Sequence, residues 1–273
     1  MGIVTKDVTV IIPYYNSSNS IGRALYSICN QTYIPKFIHI VNDASIKAEV
    51  KKLNNVVKIV QKYCKNRIKI NIYHLKKNSG PGTARNFAWN LAKTKYIAFL
   101  DSDDSWHAKK IELQLQYMQK NKIVDICSHR STIHFSSTSG NWSKNYKDLK
   151  YTYIPWYLLI FHNFFTTPTV MLKTKIKYRF LDNKYFTEDY LLWLICSIKN
   201  FKISQLKITL TYLHKPSLGF SGLSGSIADM TKGENDTFRY LFENKYISSS
   251  IYLICRIVIF FKQIRRKLFY KNL

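Results

Sequence analysis

Hydrophobic runs of strand length alternate with amphipathic segments of helical period in the first half of the chain. The run from Val8 to Ile12 is continuous, rich in β-formers and ended by Pro13, which is typical of a buried parallel strand. Such runs and the segments between them predict strands at 8–12, 37–41, 68–75 and 96–100 and helices at 17–31, 48–65, 80–93 and 108–121. Strand–helix units in this order predict a mostly parallel sheet covered by helices on both faces.

The second half shows the same two periods less regularly. It predicts strands at 123–127, 169–172 and 203–213, a helix at 188–199, a Gly/Ser loop at 217–226 and helical structure from Ile247 onward. A chain of 273 residues exceeds one usual domain but suits one large α/β unit with an appendage. We therefore expect an α/β fold with a C-terminal helical extension.

The chain is strongly basic, with 42 Lys and Arg against 16 Asp and Glu and a net charge of +26. Such a charge attracts polyanions, which include nucleic acid, acidic lipid and phosphorylated substrates. Codon bias in an A/T-rich genome is the alternative explanation for the scattered lysines. The few acids carry more information, because several of them cluster in two short segments.

The cysteines give no sign of a metal site or a disulfide framework. There are five, far apart and mostly in apolar runs: Cys29, Cys64, Cys127, Cys196 and Cys255. We therefore expect reduced thiols in a cytosolic protein. The N-terminus does not resemble a signal peptide, and no run reaches the roughly 20 apolar residues of a membrane-spanning helix.

Three of the four residues at 101–104, directly after a predicted strand, are aspartates. Ligands bind at the carboxyl edge of a parallel sheet, and the segments 13–16 and 42–43 fall at the same edge. Carboxylates that repel one another favour a hard divalent cation such as Mg²⁺ or Mn²⁺, which commonly shares its ligands with substrate phosphates. A solvated turn that caps the next helix is the alternative.

Three further positions each have a functional and a structural interpretation. Asp43 could bind a base or ribose, or act only as a helix N-cap. Arg85 follows a segment of small residues, where it could bind a nucleotide or lie on the surface. Glu188 and Asp189 open a helix, where one of them could be a general base or both could be capping residues. Neither a dinucleotide-binding glycine motif nor a phosphate loop is present.

Five short motifs follow one another along the chain. They are Val-Ile-Ile-Pro-Tyr-Tyr-Asn (10–16), Val-Asn-Asp-Ala-Ser (41–45), Asn-x-Gly-x-x-x-Ala-Arg-Asn (78–86), Phe-Leu-Asp-Ser-Asp-Asp (99–104) and Glu-Asp-x-x-x-Trp (188–193). Together they resemble the signature of family 2 glycosyltransferases over about residues 7–225. The resemblance implies a GT-A fold, with a nucleotide-binding half at about 1–106, an acceptor-binding half at about 107–226 and a basic amphipathic extension at 227–273.

The resemblance also implies roles for individual residues. The nucleotide pocket would be lined by Pro13, Tyr15, Asp43, Arg85 and Asp101, and the ligands of Mn²⁺ or Mg²⁺ would be Asp103, Asp101 and His214. Asp189 would be the general base, with Glu188 and Trp193 on the acceptor side. The family often has glycine where this chain has Ala44, which narrows the allowed backbone there.

The reaction implied is inverting transfer of one sugar from a nucleotide-diphosphate sugar, with UDP as the family-level expectation. The acceptor would be a hydroxyl of a glycan or lipid-linked glycan in the synthesis of O-antigen, capsule or lipooligosaccharide. The Gln-x-x-Arg-Trp motif of processive synthases is absent, which favours transfer of a single residue.

Two other interpretations stay open. A sugar nucleotidyltransferase also uses acids on an α/β sheet, but a basic glycine-rich segment after the first strand is missing. A nucleic-acid-binding protein would explain the charge, but no recognised module is present, and we expect no nucleic-acid partner.

The C-terminal segment is basic and amphipathic. No Asp or Glu follows Glu243, whereas seven Lys and Arg residues do. At helical spacing one apolar stripe comprises Ile254, Ile257, Phe261, Ile264 and Leu268, and Arg256, Lys262, Arg266 and Lys267 lie largely away from it. This pattern predicts an interfacial helix on an anionic membrane, with the protein peripheral at the inner face of the cytoplasmic membrane. A helix docked on the core or on a second subunit is the alternative.

Overall fold

The computed structural model describes residues 6–133, 149–215 and 226–270. Most of the Gly/Ser loop predicted at 217–226 lies outside the described residues. The other predicted strands and helices are present, although several of their end points differ.

The first half is a run of alternating strands and helices. It comprises β1 (Lys6–Tyr14), α1 (Ser18–Cys29), β2 (Pro35–Asn42), α2 (Lys47–Tyr63), β3 (Lys69–His74), α3 (Gly80–Leu91) and β4 (Tyr96–Phe99). Neighbouring strands pair in parallel, in the order β3-β2-β1-β4. Val10 and Ile12 of β1 are buried in one core and Ile11 in the other, because helices cover both faces of this strand.

The second half completes the sheet and adds the C-terminal helices. It comprises β5 (Ser105–Trp106), α4 (Lys110–Lys120), β6 (Val124–Ile133), β7 (Tyr151–Tyr153), α5 (Trp156–Leu159), a 3₁₀ helix (Thr167–Thr169), β8 (Met171–Lys173), α6 (Glu188–Ile198), β9 (Lys202–Leu213), α7 (Ile227–Glu243) and α8 (Ser249–Tyr270). The sequence did not predict β5, β7, α5 or the 3₁₀ helix, because such short elements show no periodic signal.

The strands described here form a single sheet. Its order is β3-β2-β1-β4-β8-β6-β9-β5, and β7 pairs with β9. β8 is antiparallel to both β4 and β6, so antiparallel pairing enters in the second half. The helices α1, α2 and α4 cover one face, and α3, α6, α7 and α8 pack on the other. The predicted fold class, an α/β sheet flanked by helices with C-terminal helices, is confirmed.

The last helix, α8, packs on the rest of the protein through one face. Its Cys255 and Ile259 are buried in the core. Arg266 donates hydrogen bonds of 3.1 and 3.0 Å to the carboxylate of Glu234 on α7, and Lys262 lies 3.7 Å from the same carboxylate. Four cations are predicted to accompany the membrane-facing stripe. Two of them, Lys262 and Arg266, therefore contact an acid of the protein itself.

The opposite face of α8, which we call the α8 apolar face, is exposed. It comprises Leu253, Ile254, Ile257, Phe260, Phe261 and Ile264. The helix is thus docked on the core and still presents most of the predicted stripe, while the side chains of Lys267 and Leu268 lie outside the described part. Where the structure describes the chain, none of its helices combines the length and hydrophobicity of a membrane span.

The expectation that all cysteines are reduced thiols is wrong for two of them. Cys29 ends α1, Cys64 directly follows α2, and the two form a disulfide with their Cα atoms 5.7 Å apart. Packing of α1 on α2 brings together residues that are 35 positions apart in sequence, which spacing alone could not indicate. Cys127, Cys196 and Cys255 are free and buried.

Reduction of this disulfide is expected to destabilise the protein. A cross-link that closes a loop of this length typically contributes about 2–4 kcal/mol to the free energy of unfolding. We expect urea unfolding of the oxidised protein to shift to lower urea when dithiothreitol is added. The double variant Cys29→Ser/Cys64→Ser is the control and should unfold at the same urea concentration with and without reductant. An unfolding midpoint of the wild type that is the same with and without dithiothreitol would contradict the disulfide.

Candidate active site

Three parallel strands end at one edge of the sheet. In the register of β1 and β2, Tyr14 lies opposite Asn42. β4 reaches the same level, because the amide of Leu100 donates a hydrogen bond to the carbonyl of Ile11. The polar segments that follow the three strands therefore lie at a common edge, as the sequence predicts, and the side chain of Tyr15 is exposed there.

Asp43 is buried and holds the start of α3. Its two carboxylate oxygens accept hydrogen bonds from the backbone amides of Ser79 and Gly80, each at 2.8 Å. Burial raises the pKa of this carboxyl, and the two hydrogen bonds lower it in part. Asp43 therefore does not cap α2, the helix that follows it. Its contact with a nucleoside, like those of Pro13 and Tyr15, stays a prediction.

Two left-handed backbone positions flank this carboxylate. Ala44 has a φ of 57° and Gly80 a φ of 86°. The left-handed region is unfavourable for residues with a Cβ, so Ala44 carries strain that the family's usual glycine would not. A Cβ on Gly80 would lie 3.2 Å from the ring of Tyr185, so a glycine there lets the segment before α6 approach closely.

Arg85 lies in the interior, and the alternative of a surface arginine is wrong. Its side chain is only 4% exposed. Its Nη1 donates to Glu188 Oε1 at 2.8 Å and its Nη2 to Asp101 Oδ1 at 2.6 Å. Burial alone would lower the pKa of the guanidinium, but the two carboxylates raise it. Both outer nitrogens donate to protein carboxylates. Any effect of Arg85 on a bound nucleotide would therefore be indirect, through its hydrogen bond to Asp101.

The aspartates after β4 form a concentrated negative site. Asp101 and Asp103 keep 30% and 28% of their side chains exposed, and Lys215 pairs with Asp103 at 2.9 Å. Asp104 is buried, and its pKa rises to about 8 because of burial and then the charges of Asp101 and Asp103. The guanidinium of Arg23 lowers the pKa of Asp104 only in part.

His214 lies beside these acids, as predicted. Its backbone amide donates to Asp104 Oδ1 at 3.3 Å, and its ring Nε2 is hydrogen-bonded to the hydroxyl of Ser105 at 2.8 Å. Its service as a metal ligand stays a prediction.

The acids after β4 fit a divalent cation that protein and substrate hold jointly. Over residues 6–133, 149–215 and 226–270, no group of three or more His, Cys, Asp or Glu side chains forms a complete metal site. Asp101 and Asp103 nevertheless offer partly exposed hard oxygen ligands, and burial together with the charges of these two acids raises the pKa of Asp104. One or two carboxylates plus substrate phosphates are a common ligand set for Mg²⁺.

The acid pair at the start of α6 lies on the other side of Arg85. Burial raises the pKa of both Glu188 and Asp189. Glu188 is buried, whereas Asp189 is half-buried. Asp189 accepts hydrogen bonds from the hydroxyl of Thr167 at 3.0 Å and from the amide of Tyr190 at 2.7 Å. Asp189 is therefore the more exposed of the two acids, and its role as the base stays a prediction.

Trp193 does not lie at a surface. It is fully buried and packs against Phe165 and Phe180, with ring centroids 5.8 and 5.9 Å away. Any part that Trp193 plays in shaping the acceptor side would therefore be indirect, through the packing of the core, and this role stays a prediction.

Lys215 and Thr167 are site residues that sequence analysis missed. Each contacts an acid of the site from far along the chain, and neither belongs to a recognisable motif. No local pattern could have identified them.

Comparison with known proteins agrees with this geometry. The sequence profile of Glycosyl transferase family 2 matches residues 9–191, a span that includes the acids after β4 and the acid pair of α6. The chain belongs to glycosyl transferase family 2.

Relatives in the family are named glycosyltransferases. An uncharacterized glycosyltransferase of Methanocaldococcus jannaschii is 32% identical, over 71% of this chain and 66% of its own length. The Escherichia coli UDP-Glc:alpha-D-GlcNAc-diphosphoundecaprenol beta-1,3-glucosyltransferase WfgD is 30% identical, over 68% of each chain. An uncharacterized glycosyltransferase of Rickettsia bellii is 38% identical, over 43% of this chain, and the match spans only 16% of that longer protein.

Solved structures share the fold at low sequence identity. Staphylococcus aureus TarS 1-349 in complex with UDP-GlcNAc has a TM-score of 0.65 and 20% identity, over 97% of this chain and 74% of that one. The mannosyltransferase PcManGT from Pyrobaculum calidifontis, in complex with GDP-Man and Mn²⁺, has a TM-score of 0.64 and 14% identity, over 87% of this chain and 64% of that one. This likeness confirms the predicted GT-A fold.

Removing the arginine between the acids is expected to destabilise this family 2 protein strongly. Arg85→Met keeps most of the side-chain volume but leaves the buried Glu188 without its cation, which typically costs about 3–5 kcal/mol. Urea unfolding measures the loss. The control Lys52→Met removes an exposed partner of Glu49 and should cost at most about 1 kcal/mol. Equal losses in the two variants would contradict the role given to Arg85.

Proposed function

We propose that this protein transfers a single sugar from a nucleotide-diphosphate sugar to an acceptor hydroxyl, with inversion and with a divalent cation. The donor is a UDP-hexose or UDP-N-acetylhexosamine, and the acceptor is a glycan or lipid-linked glycan of a surface polysaccharide. One observation carries the proposal. The guanidinium of Arg85 donates hydrogen bonds both to Asp101 after β4 and to Glu188 of the acid pair on α6, so the two groups of acids lie in one site.

The donor lies, in this proposal, at the edge formed by β1, β2 and β4. Pro13, Tyr15 and Asp43 line the nucleoside, while Asp103 and Asp101 hold Mn²⁺ or Mg²⁺, with His214 as a further ligand. The bound cation would neutralise charge on the departing diphosphate. The donor half is residues 1–106, the acceptor half 107–226 and the extension 227–273.

The transfer step follows from the position of Asp189. Its carboxylate accepts the proton of the acceptor hydroxyl, whose oxygen forms a bond to the anomeric carbon from the face opposite the diphosphate. The bond between that carbon and the diphosphate oxygen breaks, and the nucleoside diphosphate leaves with the electron pair. One displacement inverts the anomeric centre. Supporting this role, Asp189 is partly exposed while its neighbour Glu188 is buried and paired with Arg85.

The relatives support the proposed substrates. The name of WfgD gives a UDP-sugar donor and a diphosphoundecaprenol-linked acceptor for that protein. The fold neighbours were solved with UDP-GlcNAc in one case and with GDP-Man and Mn²⁺ in another. These observations favour a sugar transferase over the nucleotidyltransferase and nucleic-acid-binding alternatives.

Two substitutions separate donor binding from transfer. Asp103→Asn should weaken the Mn²⁺-dependent thermal stabilisation by UDP, because it removes a charged cation ligand. Asp189→Asn should keep that stabilisation but lower sugar transfer by about 10²–10⁴-fold, the usual contribution of a general base. Donor binding is measured by thermal shift, and transfer by release of UDP from UDP-glucose and UDP-GlcNAc with a diphospholipid-linked acceptor.

The outcomes of this experiment are distinct. Full turnover by Asp189→Asn would remove that residue from the base role. A wild-type protein that neither UDP nor a UDP-sugar stabilises in the presence of Mn²⁺ would contradict the proposed function itself.

The proposal includes contact with an anionic membrane through the α8 apolar face. Six large apolar side chains are exposed on a helix that is already docked, so folding of the monomer does not account for them. Tyr157 and Phe161 of the neighbouring 156–161 segment are also about half exposed. Seven Lys and Arg and no acids follow Glu243, which complements anionic lipid.

The inner face of the cytoplasmic membrane is the location we propose. A lipid-linked acceptor and the basic apolar surface both support it. The cysteines do not support this location, because Cys29 and Cys64 form a disulfide instead of being reduced thiols.

Substitutions on the α8 apolar face test membrane contact. Ile257→Ser/Phe261→Ser changes two exposed residues, so the fold should persist while co-sedimentation with phosphatidylglycerol vesicles falls at least several-fold. The control Ile59→Ser/Ile123→Ser changes two similarly exposed residues elsewhere and should bind like the wild type. Unchanged binding by the α8 variant would contradict membrane contact. A second outcome would also contradict membrane contact: the wild type is a dimer without lipid, and the α8 substitutions dissociate it. A second copy of the chain would then cover the α8 apolar face.

A further inference from the structure

The carboxylate of Asp189 is held by two donors, one on each oxygen. The backbone amide of Tyr190 donates to Oδ1 at 2.7 Å. The hydroxyl of Thr167 donates to Oδ2 at 3.0 Å. The first donor belongs to α6, the helix that also carries Asp189. The second is a side chain of the 3₁₀ helix, in a different part of the fold.

Thr167 is held in place by the fold around it. It begins a buried 3₁₀ helix, Thr167–Thr169. The carbonyl of Pro168 accepts hydrogen bonds from Trp106 Nε1 at 2.8 Å and Thr211 Oγ1 at 3.3 Å. The carbonyl of Thr169 accepts one from Gln114 Nε2 at 3.0 Å. Anchors from β5, β9 and α4 thus fix the backbone that carries the Thr167 hydroxyl.

We propose that Thr167 is a positioning residue for the transfer reaction, and that its hydroxyl keeps the Asp189 carboxylate ionised and correctly oriented. The inference rests on the proposed function, in which Asp189 is the base. A donor to a carboxylate favours the charged form, and only the charged form can accept the acceptor proton.

Several charged groups also act on Asp189. Glu188 precedes it on α6, Arg85 faces it from α3, Asp101 from the end of β4 and Lys184 from the segment before α6. Burial raises the pKa of Asp189, Arg85 and the Thr167 hydroxyl lower it, and Asp101 raises it. Thr167 is an uncharged side chain, so its hydroxyl can be removed without changing any of these charges.

Thr167→Val removes the donor and keeps the shape of the side chain. A hydrogen bond to a charged group contributes an amount that corresponds to a pKa change of about one to two units. Because the lost donor stabilised the ionised form, the pKa of Asp189 rises and the acid limb of kcat/KM moves to higher pH by about the same amount. Thr167→Ser, which retains a hydroxyl, should restore the wild-type limb.

The pKa change can be read without any substrate. Carbon-13 NMR of protein labelled at the aspartate carboxyl carbons gives the Asp189 titration, and the Asp189→Asn variant identifies its resonance. Thr169→Val is the matched control, because its hydroxyl lies in the same 3₁₀ helix but donates to the carbonyl of Thr166. That variant should leave the Asp189 titration unchanged. Thr167→Ala, which also lacks the donor, replaces Thr167→Val if valine prevents folding.

An Asp189 titration that is the same in wild type and in Thr167→Val would overturn the inference. So would a loss of kcat/KM that is uniform across pH, since a merely structural role would give that result. Failure of the base role looks different, because Asp189→Asn would then turn over donor at the wild-type rate. Failure of the proposed function would show as a wild-type protein that neither UDP nor a UDP-sugar stabilises in the presence of Mn²⁺.

Discussion

The buried contact of Arg85 with Asp101 and Glu188 is the constraint on which the rest of the site depends. A guanidinium and a carboxylate removed from water stabilise a fold only when their geometry is well satisfied. α3 supplies the arginine, the end of β4 supplies Asp101 and α6 supplies Glu188. The three elements are thereby held in one arrangement, which brings the acids after β4 and Asp189 into one site.

Close packing of backbones makes this contact possible. A Cβ on Gly82 would lie 3.1 Å from the side chains of both Glu188 and Phe180. The ring of Tyr185 approaches Gly80 in the same way. Small residues at the start of α3 therefore let the segment before α6 pack closely on α3, and the antiparallel strand β8 joins β4 to β6 in the sheet.

The distribution of charge explains how so basic a chain builds an acidic site. Only 16 acids are present, and several of them lie at the site. Glu234 neutralises Arg266 and faces Lys262 beneath α8, so these cations stabilise the fold and leave the outer face of the helix apolar. In the function we propose, the acids at the sheet edge face a metal-bound diphosphate and the excess positive charge elsewhere faces an anionic lipid surface.

The sequence by itself determined the order of the longer strands and helices, the edge where Asp43 and Asp101 lie, and the acid pair that opens α6. These are local properties, because hydrophobic period and the residue types at strand ends act within a few positions. Only the tertiary structure decided what Arg85 binds, that Thr167 donates to Asp189 and that Cys29 bonds to Cys64. Those contacts join residues between 16 and 103 positions apart, and no local pattern specifies which distant side chains meet when the sheet closes.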